Sequence, residues 1–411
     1  MPKFLHAADL HIDSPLRGLE TYEGAPKERI RGATREAFEK LIAFAIQEEV
    51  RFVILAGDVF DTNPLLATSV YFNRALQELT TRGIPVFIAR GNHDHAGIVP
   101  RGRTLVEGVH IFSHDYPETF ELEDVAIHGQ SYPSAAVHLD LSLGYPAPIH
   151  GKLNIGVLHT SLLGYPEHEP YAPTSPKTLA ARGYGYWALG HVHRFEHLVE
   201  GGTTIVFPGN LQGRHARETG PKGAVLVEYE GNRILSVKHQ SFDVTRWHLL
   251  EVDLAEGDDE TLLRSLVRSI EEASATDRME KRLAVFRLRL WTHRDLGFDL
   301  RERLIEALTH LEGEVWIEKI ELRRAPDHRA SSEFLSALGE LTDQLLADPH
   351  TLDELEARIE SEHFGGGTPS DQALLKEARA RAFGEGGDRD LAPLLASALE
   401  LIASYARSGK R

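Results

Sequence analysis

Seven residues of types that bind metal ions stand at or just past the ends of apolar runs in the first 193 positions. Asp9 and His11 follow KFLHAA, Asp58 follows RFVILAG, and Asn92 follows IPVFIARG; His159 closes NIGVLH, and His191 and His193 follow YWALG. Two carboxylates, one amide and four imidazoles combine hard oxygen with intermediate nitrogen and no sulfur. That set selects manganese, iron, zinc or magnesium over soft metals. Seven ligands exceed what one ion takes; they suit two ions about 3.5–4 Å apart sharing a bridging carboxylate. Such a pair lowers the pKa of a shared water and stabilises charge on a phosphoryl group during in-line attack. A single zinc site would leave Asn92 and half of the imidazoles without a role. Any one D-x-H, G-D or H-x-H also occurs in polar turns, and His6, His95, His110, His114, His128 and His138 fit an ordinary pool among the 22 histidines. The weight lies in five elements ending five apolar strands in chain order.

The stretch IARGNHD (88–94) is the centre of this pattern, because Asn92, His93 and Asp94 set a ligand and a proton donor side by side. The elements that must position it follow from periodicity. A strand over 3–8 leads into Asp9 and His11, which in extended backbone would point to one side. Phe38, Leu41, Ile42, Ala45 and Ile46 predict a helix over 33–49, then come a strand over 51–56, a helix near 65–82 and a strand over 84–89. This is β-α-β-α-β with ligand types at the carboxyl ends of strands, where open α/β sheets build sites. Strands at 109–112, 125–130, 154–161, 184–194, 203–207, 223–229 and 233–239 suggest a second sheet facing the first, with helices outside. Residues 131–150 and 164–178, dense in Pro, Tyr, Gly and Ser, read as surface loops.

Near residue 246 the texture changes. Strands over 247–254, 283–291 and 314–322 alternate with helices near 259–274 and 299–311, and no strand end carries ligand types. From 331 onward the pattern is helical, broken by glycines at 365–367 and 384–387. The expected division is therefore 1–245, the site-bearing domain; 246–325, a small α/β accessory domain; and 326–411, a helical region that could dock a partner. A length of 411 residues favours two or three domains. No apolar run approaches the roughly 18 residues of a membrane span. The start MPKFLHAADLHID has no signal-peptide core and reaches a candidate ligand at Asp9. Zero cysteines exclude disulfides and thiolate ligands and agree with a cytoplasmic protein. The net charge of −17 argues against a basic nucleic-acid coat. Residues 250–363 hold 28 acidic and 15 basic residues, a balance of −13, so the remainder carries only −4.

The order D-x-H, G-D, G-N-H-D, a lone His after a strand, then G-H-x-H resembles the calcineurin-like metallophosphoesterase superfamily over residues 4–194. HAADLHIDSPL (6–16), GDVFDTN (57–63) and FPGNLQGRHARETGPKG (207–223) resemble the SbcD-type DNA repair nucleases, and among them the bacterial YhaO-like branch. The resemblance implies a four-layer αββα sandwich with a smaller α/β cap and a helical tail. It implies one metal on Asp9, His11, Asp58 and His193, and another on Asn92, His159 and His191, with Asp58 as bridge. His93 would contact the scissile phosphate and protonate the leaving oxygen, and Asp94 would orient its ring. Asp61 sits where some relatives place a histidine near the phosphate, and His95 replaces a small residue. Arg90, Arg194, Arg214 and Arg217 lie near the site in sequence and are candidates for phosphate contact or, equally, for surface salt bridges. The implied activity is a manganese-dependent DNA exonuclease, possible also as an endonuclease, with magnesium, iron or zinc as alternative metals. Its implied partners are DNA, a second copy of the chain and an SMC-like coiled-coil ATPase, since no G-x-x-x-x-G-K-S/T loop is present here. The rival readings are a phosphoesterase of nucleotides or phosphoproteins, and a regulatory subunit of such an ATPase complex.

Overall fold

A computed structural model describes residues 1–14, 24–96, 106–162, 171–253, 258–292 and 299–324. Strand β1 (Lys3–Ala7), helix α1 (Lys27–Gln47), strand β2 (Val53–Ala56), helix α2 (Leu66–Thr80) and strands β3 (Val86–Ala89) and β4 (Val109–Ile111) open the chain. The strands pair in parallel in chain order, with Leu5 opposite Val53, Val53 opposite Val86 and Val86 opposite Val109. Strands β2 and β3 are apolar throughout because both of their faces are buried. On one face Phe38, Leu41, Ala45, Phe72, Leu76 and Leu79 of the helices pack on Leu5, Val53, Leu55, Val86 and Ile88. On the other, Phe4, Phe52, Ile54 and Phe87 meet a second sheet, with the Phe4 and Phe52 rings stacked 4.9 Å apart.

The second sheet contains β5 (Glu118–Glu121), β6 (Val125–Gly129), β7 (Leu153–His159), β8 (Tyr186–Gly190), β9 (Glu196–Glu200) and β10 (Thr203–Phe207), in the order β5-β6-β7-β8-β10-β9. Its inner side supplies Val125, Ile127, Ile155, Val157, Tyr186, Ala188 and Val206 to the inter-sheet core. Its outer side packs Leu158, Trp187, Leu189 and Ile205 against Tyr145 and against Leu179 of helix α3 (Pro176–Ala181). The arrangement is helix, sheet, sheet, helix, the four-layer α/β sandwich expected.

Two expectations need correction. The segments 109–112, 223–229 and 233–239 do not join the second sheet: β4 pairs in parallel with β3, β11 (Gly223–Glu230) pairs antiparallel with β1, and β12 (Arg233–Ser241) pairs with β11, widening the first sheet to six strands. The alternation of β11 explains why, since Ala224 and Leu226 enter the helix-side core while Val225, Val227 and Tyr229 enter the inter-sheet core. The expected loop over 164–178 also gives way to helix at Pro176, where the Ser175 hydroxyl accepts from the Thr178 N–H. Residues 164–170 of that loop lie outside the described residues.

A third sheet, β13-β14-β15, is made by β13 (Thr245–Asp253), β14 (Leu283–Thr292) and β15 (Val315–Arg324) with helices α4 (Asp259–Met279) and α5 (Leu300–Ala307). It has its own core of Leu266, Ile270, Phe286, Leu288, Leu290 and Leu304. Trp247, Val285 and Trp316 on this sheet also pack with Ile30 and Ala216, so Met1–Leu322 forms one compact unit. The expected helical region, with its glycine breaks, lies outside the described residues. Among those described, no helix is long and apolar enough to cross a membrane.

Candidate metal centre

The backbone around the site is unusual before any side chain is considered. Past the end of β1, Asp9 and His11 adopt left-handed φ values of 51° and 46°; Asp58 adopts 52° and His191 100°. Among the described residues, half of the eight non-glycine residues with positive φ are thus candidate ligands. The segment after β1 is laced to the segment after β2, with Asp9 N donating to Gly57 O, His11 N to Asp58 O and Ile12 N to Val59 O at 2.9–3.1 Å. Asp9 and His11 therefore do not converge by strand alternation, as the sequence suggested; two left-handed turns, pinned by neighbouring carbonyls, bring them together. Gly57, Gly91 and Gly190 clear the space. A Cβ on Gly57 would lie 2.2 Å from His159 Nδ1, and one on Gly190 would lie 1.9 Å from the Ala56 carbonyl.

Two groups of ligand atoms result, Asp9 with His11 and His193, and Asp9 with Asp58 and His159. Three imidazoles repeat one device: Nδ1 is held from behind and Nε2 faces the site. His11 Nδ1 lies 2.5 Å from Asp61 Oδ1, His193 Nδ1 2.7 Å from Glu218 Oε1, and His159 Nδ1 3.0 Å from Ala56 O. Acceptors at Nδ1 fix the proton there and leave the Nε2 lone pair for a cation, the usual arrangement behind metal-bound histidines. In front, His11 Nε2 and His193 Nε2 are 3.4 Å apart, and His159 Nε2 is 3.1 Å from Asn92 Oδ1 and 3.4 Å from Asp58 Oδ2. The His191 backbone N–H donates to both Asp9 carboxylate oxygens at 3.0 and 3.2 Å, while its ring packs against those of His159 and Tyr171. Two buried carboxylates and converging Nε2 atoms fit a pair of divalent ions of the hard-to-intermediate class.

The electrostatics match. Burial pushes Asp58 up, but the His159 imidazole outweighs it and holds the carboxyl well below the usual range. Burial opposes charge on His159 and His193, yet Asp58 raises the first and Asp9 with Glu218 raises the second, each to about 9. Burial and the Arg214 guanidinium lower His11 instead. Protons and divalent cations compete for these nitrogens, so cation uptake here releases protons.

The structure brings Asp9, His11, Asp58, Asn92, His159, His191, His193, His93, Asp94 and Asp61 to one region, and two roles differ from those expected. Asp94 does not orient the His93 ring: its oxygens accept the Gly91 and Val59 backbone N–H groups at 2.7 and 2.9 Å. The tight turn at Gly91 folds that carboxylate back under the strand ends, where burial and the nearby Asp58 charge raise it to about 6. The His93 ring is instead held by its own neighbour in space, with Nδ1 3.2 Å from the Asp61 carbonyl. Asp61 lies behind His11 rather than at the front of the site, so it positions a ligand. Asp9 belongs to both ligand groups, and Asp58 Oδ2 lies 3.4 Å from His159 Nε2, so the two carboxylates stand between the converging imidazoles. Of the four arginines, Arg194 is engaged with Glu196 and Arg217 is exposed, whereas Arg214 lies inside the site. Sequence reading missed Glu218, which is 6% exposed and holds His193. Its only signal was its place in the 207–223 loop.

Known proteins resemble this chain over its site-bearing part. The calcineurin-like phosphoesterase family matches residues 2–195. The chain is 36% identical over 270 residues to the uncharacterized metallophosphoesterase YhaO of Bacillus subtilis, covering 64% of this chain and 66% of the relative, just under two thirds of its length. It is 26% identical over 292 residues to the DNA double-strand break repair protein Mre11 of Sulfurisphaera tokodaii, covering 68% of this chain and 71% of that one. Among solved structures, a dimetal phosphatase from Danio rerio aligns with a TM-score of 0.36 at 12% identity, over 58% of this chain and 99% of that one.

Proposed function

We propose, because residues 2–195 match the calcineurin-like phosphoesterase family, that the chain is a metal-dependent hydrolase whose substrate is the phosphodiester bond of DNA. The observation that carries the chemistry is the pair of ligand groups sharing the buried Asp9, with His93 at their rim. His93 is 44% exposed and its ring lies 5.2 Å from that of His11, so it can meet a substrate that touches the centre. Its Nδ1 faces the Asp61 carbonyl, which leaves Nε2 to hold the mobile proton and give it to the leaving oxygen. Bound divalent ions would supply a water of lowered pKa and offset charge on the phosphoryl oxygens. Asp9, His11, Asp58, Asn92, His159, His191 and His193 would hold them. Manganese is the first choice, with magnesium, iron and zinc as alternatives that the donor set accepts.

The choice of DNA over a small phosphoester is supported by the similarity to DNA double-strand break repair proteins, which extends past the phosphoesterase domain. Exonuclease action on DNA in the cytoplasm, as a homodimer alongside an SMC-like coiled-coil ATPase, completes the proposal. The test pairs cleavage of labelled linear DNA with cleavage of bis-p-nitrophenyl phosphate under manganese. DNA degradation that His93→Ala reduces by about 10²–10⁴ without loss of metal is the expected result. Turnover of the small ester with DNA left intact by chain and ATPase together would move the substrate to nucleotides or phosphoproteins.

A further inference from the structure

The carboxylates that hold His11 and His193 share one guanidinium. Asp61 Oδ1 is 2.5 Å from His11 Nδ1, and Glu218 Oε1 is 2.7 Å from His193 Nδ1. Arg214 Nη1 donates to that same Asp61 oxygen and Arg214 Nη2 to that same Glu218 oxygen, each at 3.1 Å. Glu218 is fixed further, because its Oε2 accepts from the Arg214 backbone N–H at 2.8 Å and from Asn210 Nδ2 at 3.0 Å. Five residues thus form an arc, His11–Asp61–Arg214–Glu218–His193, whose two ends are the Nε2 atoms 3.4 Å apart.

We propose that Arg214 is a positioning residue: a clasp that sets the two imidazoles of the Asp9–His11–His193 triad for one metal ion, and not a phosphate contact. The inference rests on the two-metal reading above. Arg214 has a side chain only 15% exposed, and both of its terminal nitrogens are committed to carboxylates. A planar fork can hold two acceptors at a fixed separation; an ammonium is a point charge and cannot. The charge also matters, since Asp61 and Glu218 are two acids directly behind a centre that already contains Asp9 and Asp58. A guanidinium between them keeps both ionised and aimed at their histidines. The clasp is selective. His159 is braced by the Ala56 carbonyl, outside the arc, so the Asp9–Asp58–His159 group does not depend on Arg214.

The test is manganese titration of metal-stripped protein by calorimetry, with paramagnetic resonance counting the unbound ion. Wild type is expected to show two sites. In Arg214→Lys and Arg214→Gln one site weakens by about ten- to a hundredfold and the other holds. At saturating manganese the KM for bis-p-nitrophenyl phosphate stays at the wild-type value. Asp61→Asn and Glu218→Gln each release one imidazole while keeping side-chain volume, and each must weaken that same site; they carry the test if an Arg214 variant fails to fold. Two sites of wild-type affinity in the variants with a raised KM would make Arg214 a phosphate contact and overturn the clasp alone. Full recovery in Arg214→Lys would reduce its role to charge and overturn the fork. Wild-type protein that takes up no manganese would overturn the two-metal reading and the clasp with it.

Discussion

Gly91→Ala is the sharpest single perturbation of the centre. Gly91 follows β3, and its backbone is outside the left-handed region, so alanine introduces no backbone strain. The cost is purely one of space. The new Cβ would lie 2.3 Å from Asp58 Oδ1 and 2.8 Å from His159 Nε2, where ordinary contact begins at 3.4 Å. The Asp58 oxygen must then retreat by about 1.1 Å, the difference between those distances. It cannot do so freely, since Asp58 is 1% exposed and the same oxygen accepts the His93 backbone N–H at 2.9 Å. Overpacking of this kind costs about 1–3 kcal/mol of stability. The displacement also exceeds the roughly 0.2 Å within which metal–ligand distances are held, so manganese affinity falls at least about tenfold. A misplacement of about 1 Å in a reacting centre costs on the order of 10² in rate. The assays are urea melts in chelator, manganese titration and bis-p-nitrophenyl phosphate turnover. A variant that melts, binds and turns over like wild type would refute the placement of Asp58 and His159 against this glycine.

Three further outcomes follow from particular residues. Manganese at about a hundred times its dissociation constant should stabilise the chain by about 2.7 kcal/mol per site against urea, an effect that chelator abolishes; equal midpoints with and without metal would contradict the site. His6 is fully buried beside the Tyr186 hydroxyl, and burial lowers it to about 3 from an ordinary value of 6.5. The unfolded chain therefore binds the extra proton between those values, and stability in chelator should fall as pH drops through that window, by up to about 1.4 kcal/mol per pH unit. His6→Gln should flatten this slope, and parallel curves for the two proteins would refute the assignment. At Asp58, with φ of 52°, glycine should be more stable than alanine by about 1–2 kcal/mol in chelator, while both lose metal; equal urea midpoints would show that the turn is not strained.

The seven candidate ligands were legible because each follows a run too apolar to end in charge by chance, and burial of those runs fixes which sheet edge they reach. What escaped was non-local or half-hidden. Strands β5 and β9, ETFE and EHLVE, alternate partly buried with exposed side chains and mix acids among the apolar residues, so no apolar run announces them. Sheet membership of β11 depends on pairing with β1, more than 200 residues earlier, which no window of sequence contains. Glu218 reads as an ordinary loop acid until the fold sets it behind His193. Asp94 misled because adjacency in sequence suggested service to His93, whereas its carboxylate closes the turn that begins at Gly91.

The same residue types serve the backbone and the chemistry at this centre, and that coincidence narrows what can replace them. Left-handed φ is uncommon outside glycine, with Asp and His among the residues enriched there. Asp9, His11, Asp58 and His191 occupy it, so each position asks for a short polar side chain before any ion is considered. Glycine would ease the backbone and remove a ligand; a β-branched residue would fail at both. Strained conformations persist only where surrounding contacts over-determine them. Here the Gly57, Asp58 and Val59 carbonyls do so for the segment after β1, and the Asp9 carboxylate does so for His191. Because Asp9 both fixes the His191 backbone and belongs to both ligand groups, its loss would release the two groups together, whereas loss of His11 or His159 would open one of them.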